Sequence, residues 1–86
     1  MYEVIEYEGD VQVPNQYFWR SGFDSIVQAE CVAKAVYHRN KGMYDNNYHV
    51  LVQRVGDDEG EALLGYGDGR MLVGSGLATF LEGIEK

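Results

Sequence analysis

At 86 residues the chain has room for one domain, whose small core buries about 60 to 65% of the unfolded surface. Its composition is 45% hydrophobic, with seven Tyr, three Phe and one Trp, which excludes a disordered acidic tail. Its formal net charge of -7 repels nucleic acid and anionic membranes and favours basic protein surfaces.

Cys31 is the only cysteine, so no intramolecular disulfide forms and a reducing cytoplasm is the expected compartment. No apolar run approaches the ~20 residues that span a bilayer, and the acidic start MYEVIEYEGD is unlike a secretory signal. Neither secretion nor membrane contact is expected.

In chain order, Tyr2 to Glu8 has the β-branched and aromatic content of a strand. Gly9-Asp10 suits a two-residue turn with positive φ at its first position. The return arm starts at Val11 and meets Pro14-Asn15, so it should be broken or lie on an edge. Asp24 or Ser25 then caps a helix over about residues 24 to 41, with Ser25 and Gln28 in capping-box spacing. Its apolar stripe is Ile26, Ala29, Val32, Ala33, Val36 and Tyr37, and Glu30 and Lys34 form a favourable i, i+4 pair. His38, Arg39 and Lys41 complement the negative end of the helix dipole, and Gly42 is the expected left-handed terminator.

Beyond the turn Asp45-Asn46-Asn47, Tyr48 to Val55 predicts a central strand, with Tyr48, Val50 and Val52 on one face and Leu51 and Val55 on the other. The acidic turn Gly56 to Gly60 leads to a strand over Glu61 to Tyr66. Asp68-Gly69 is the pair a type I′ hairpin prefers before Arg70 to Val73. Ser75 then caps a short helix, with Leu77, Phe80, Leu81 and Ile84 on one face, that closes an edge of the core. The expected class is α+β: a small antiparallel sheet of four to five strands against one long helix, with a short C-terminal helix.

No motif in this order carries catalysis. The glycines at 65, 67 and 69 lack the Walker lysine and the dinucleotide spacing, and a hairpin turn accounts for them. Cys31 and His38 lie about 10 Å apart along the helix, too far to act as a dyad. His49 or a carboxylate would have to complete any zinc site, and no ligand spacing supports one. The protein is therefore expected to be no enzyme and to need neither cofactor nor metal.

The features that point outward are charge and aromatic residues. Glu3, Glu6, Glu8 and Asp10 form one acidic cluster, and Asp57, Asp58, Glu59 and Glu61 another, neither containing a Lys or Arg. Such runs often serve only to solvate a surface, and on an edge strand they also discourage aggregation. Functionally, they imitate phosphate spacing, as a DNA mimic does, or dock into an Arg/Lys groove. On this reading Glu3, Glu6 and Glu8 project to solvent and can be reversed to Lys without loss of the fold. Tyr17, Phe18, Trp19 and Arg20 form the densest aromatic run. Strand alternation leaves Tyr17 and Trp19 exposed together, or else Trp19 in the core. Tyr44 would extend an exposed patch.

A small acidic α+β domain with the strand MYEVIEYE, the helix DSIVQAECVAKAVYHRNKG and the strand YHVLVQRV resembles the phage-encoded anti-CRISPR proteins in architecture and charge. That resemblance implies a cytoplasmic inhibitor in the bacterial host, acting by protein-protein interaction. Its partner would be a basic surface on a CRISPR effector subunit, with no direct contact to nucleic acid or membrane. An antitoxin or nuclease immunity protein fits the same physical description, and a small enzyme or metabolite-binding module is the alternative that would require a pocket.

Overall fold

The computed structural model describes residues 1–9, 11–13, 22–43, 48–55 and 62–85, with side chains through residue 83. Strands β1 (Tyr2–Glu8), β2 (Val11–Gln12), β3 (Tyr48–Arg54), β4 (Ala62–Gly67) and β5 (Arg70–Val73) form one antiparallel sheet in the order β2-β1-β3-β4-β5. Helices α1 (Ile26–Asn40) and α2 (Gly74–Glu85) complete an α+β fold.

β3 is the central strand, and its first five residues, Tyr48 to Val52, are all buried because a helix lies against each face of the sheet. Strand alternation divides the core in two. Val4, Tyr48, Val50, Val52, Leu64 and Tyr66 meet Ala29, Ala33, Val36 and Tyr37 of α1 on the first face. Leu51 and Leu72 meet Leu77 of α2 on the second, with Tyr7, Ala62, Phe80 and Leu81 packed around them. α2 therefore covers the second face over β4 and β5, whereas the sequence placed it at an edge of the core.

The hairpin expectations hold where the chain is described. Gly9 has φ 64° and Glu8 pairs with Val11. Asp68 and Gly69, at φ 53° and 76°, make the left-handed pair of a type I′ turn. β2 is an edge strand of two residues, so β1, taken in sequence as a possible edge, lies inside it and pairs along its length with β3.

Ser25 is the N-cap of α1, its Oγ accepting from the Val27 amide at 3.1 Å. Two local expectations are corrected. Gly42 does not adopt positive φ; α1 instead runs out through a right-handed turn in which Met43 N–H donates to Asn40 O at 2.9 Å. Ser75 lies inside α2, which starts one residue earlier at Gly74.

Candidate functional site

Of the residues expected to meet a partner, Glu3, Glu6 and Glu8 lie among the described residues; Asp10, Tyr17, Trp19, Tyr44, Asp57, Asp58, Glu59 and Glu61 lie outside them. The structure does not hold those three together. Glu8 is exposed at the end of β1. Glu3, half-buried on the second face, accepts from Gln53 Nε2 at 2.6 Å through its Oε1.

Glu6 is 1% exposed and points into the α1 face, which overturns its expected place on the outer surface. Its Oε1 accepts from Tyr48 OH at 2.7 Å and from Asn40 Nδ2 at 2.8 Å. A carboxyl group buried in this way survives only because its hydrogen-bonding capacity is met inside the protein. Reversing it to Lys would place an ammonium group among donors and apolar side chains, so the expectation of an unchanged fold is also overturned.

The same face carries a row of tyrosines. The Tyr37 ring stacks on Tyr48 at 5.7 Å and on Tyr66 at 6.2 Å between centroids. Tyr37 OH accepts from the Gly69 amide at 2.8 Å, fixing the tip of the β4–β5 hairpin to α1.

Beside that bond lies an open cleft of about 370 Å³. Glu30, Lys34 and His38, one helical turn apart along α1, form one wall, and Gly69, Arg70 and Met71 of the hairpin form the other. Tyr37 and Tyr66, both nearly buried, reach it from beneath. Tyr66 OH donates to Glu30 Oε1 at 3.3 Å and lies 3.6 Å from Met71 Sδ. Burial, and then the negative charge of Glu30, push the Tyr66 hydroxyl up to about 12. Lys34, His38 and Arg70 are exposed. Among the described residues, neither Lys34 nor Arg70 has an ion pair.

Sequence reasoning did not assemble this cleft. It read Glu30 and Lys34 as a helix-surface pair, His38 as a dipole partner and Arg70 as the start of a strand. The readable signal was the four-residue spacing of Glu30, Lys34 and His38; that the β4–β5 hairpin would sit against it was not readable.

On the second face His49, 2% exposed, stacks on Tyr7 at 5.4 Å and meets Phe80 edge-on at 5.4 Å. It packs in the core, while Cys31 is exposed on α1. Among the described residues no three His, Cys, Asp or Glu side chains are grouped to hold a metal ion, and no helix is long and apolar enough to cross a membrane. No protein-family model, curated protein or solved structure matches this chain.

Proposed function

We propose that this protein is a small acidic inhibitor that occupies a basic surface on a partner protein and blocks it without catalysis. The partner class is the one the anti-CRISPR resemblance implies: a CRISPR effector subunit whose Lys- and Arg-lined surface otherwise receives nucleic acid or a nuclease. The observation that carries the reading is the net charge of -7, with Glu8 exposed and the run Asp57, Asp58, Glu59 and Glu61 containing no cation. Such a body competes with a polyanion for a basic groove, and complementary fields speed its encounter with that groove.

The burial of Glu6 decides how the reading is tested. The informative variant reverses Glu8, Asp57, Asp58 and Glu59 to Lys and leaves Glu6 in place. Against a purified effector complex, it should bind about tenfold or more weakly than the native chain at low salt, with the gap narrowing as salt is raised. Equal, salt-independent affinities would remove the electrostatic mechanism. If the native chain ignores the effector and neutralises a basic nuclease toxin instead, the immunity-protein reading replaces it.

A further inference from the structure

We propose that the outer edge of β5 is a self-association surface, on which a second copy of this chain pairs its own β5 antiparallel about a two-fold axis and joins the two five-stranded sheets into one. The surface uses none of the carboxylates invoked above and does not rest on the inhibitor reading.

The register of the β4–β5 hairpin decides which backbone groups are free. Gly67 and Arg70 flank its two-residue turn and therefore exchange both backbone hydrogen bonds, and Gly65 and Leu72 are the next such pair. The same alternation turns the N–H and C=O of Met71, and the N–H of Val73, away from β4. Among the described residues no strand lies beyond β5 to receive them. Met71 and Val73 share strand parity with Tyr66 and Leu64, so their side chains stand on the α1 face. α1 packs on β1, β3 and β4 but not on β5, which leaves these two side chains 47% and 51% exposed.

A second β5 fits this edge. With Met71 opposite the partner's Val73, each Val73 N–H donates to the partner's Met71 carbonyl oxygen, and the Met71 and Val73 side chains of the two copies cover one another on the α1 face. Arg70 and Leu72 lie on the other face and do not obstruct the pairing. The two edges of the sheet are unlike. β2 has only two residues and borders Glu8, whereas β5 has four and contains neither the Lys nor the Pro that guards an exposed edge.

Charge selects the same edge. A body of net charge -7 resists meeting its own copy, but β5 carries no carboxylate and β1 carries Glu3, Glu6 and Glu8. Joined through β5, the two copies of β1 stand seven strand spacings apart, about 34 Å, well beyond a screening length of about 8 Å at physiological salt. A four-residue edge falls short of the standard interface of about 1,600 Å², so the association is weak, with a Kd of about 0.1 mM.

The test is sedimentation equilibrium of the full chain from about 10 μM to about 1 mM, at low and moderate salt. A reversible monomer-dimer equilibrium is expected. Raising salt should tighten it severalfold by screening the repulsion between the two acidic bodies, the opposite of the response expected for the inhibitor complex. Met71→Lys places charge on the edge, and Val73→Pro removes an outward N–H that β4 does not use; each should weaken the dimer about tenfold or more, with the circular dichroism of the native fold retained. A chain still monomeric at about 1 mM, or a dimer unchanged in both variants, would overturn the proposal.

Discussion

The two faces of the sheet solve the same problem by opposite means. The α1 face is filled with large side chains that carry polar atoms, Tyr37, Tyr48, Tyr66, Glu6 and Asn40, and those atoms bond one another or the hairpin. The α2 face is emptied: Gly65 and Gly67 remove side chains from β4 so that Leu77 and Phe80 can approach the strand. The first arrangement depends on satisfying hydrogen bonds, and the second on the absence of atoms. Each fails in its own way.

The largest effect is expected at Glu6. In Glu6→Ala the Tyr48 hydroxyl and the Asn40 amide lose the acceptor they share at 2.7 and 2.8 Å in a buried site. Removing the acceptor of two buried hydrogen bonds should cost about 3 kcal/mol or more, a large fraction of the stability of a small domain. Glu6→Gln keeps one amide oxygen as acceptor and should cost about half as much, while Glu6→Lys should prevent folding. Urea denaturation followed by circular dichroism orders the three. A Glu6→Ala variant within about 0.5 kcal/mol of the native chain would show that the network adds little.

The glycines should respond next. A Cβ at Gly65 would lie 2.8 Å from Leu51 Cδ2 and 2.9 Å from the Val50 carbonyl oxygen; one at Gly67 would lie 2.8 Å from Phe80 Cζ and 3.2 Å from His49 Cβ. Overpacking of this kind typically costs about 1 to 3 kcal/mol. Gly65→Ala should be the more costly, because the obstructing carbonyl belongs to the paired β3 backbone, whereas the Phe80 ring can rotate away. Hydrogen exchange should show α2 loosened in both variants and α1 little changed. Equal loosening of both helices would mean that the two faces are not separable.

This contrast also marks what the sequence could convey. β1 and β5 were legible to the residue, and α1 to within two residues at its start, because alternation, turn pairs and capping are local signals. The role of Gly65 and Gly67 was not, since two glycines beside a hairpin look like turn residues until a helix is known to cross them. Glu6 was misread for a related reason. It shares strand parity with Val4, which already placed it on the buried side, but its charge argued for solvent, and the donors that make burial tolerable come from positions 34 and 42 residues away. The cleft joins a helix to a hairpin more than thirty residues on, and no local pattern encodes that meeting.

The smallest effect lies at the cleft, where the α1 face meets solvent. Tyr66 is held up to about 12 against an ordinary 10. Its folded state therefore keeps the proton more tightly than the unfolded chain does. The Tyr66 contribution is fully present below pH 10, and stability should decline as pH rises from 10 towards 12, where the unfolded chain has already released that proton. Alkaline titration followed by tyrosinate absorbance should show a late-ionising hydroxyl that is missing in Tyr66→Phe. Glu30→Gln should bring that ionisation down only part of the way, because burial is the larger cause and the Glu30 charge the second. A complete return to the ordinary value would reverse that order and make Glu30, the acid on the cleft wall, the dominant influence on the Tyr66 hydroxyl.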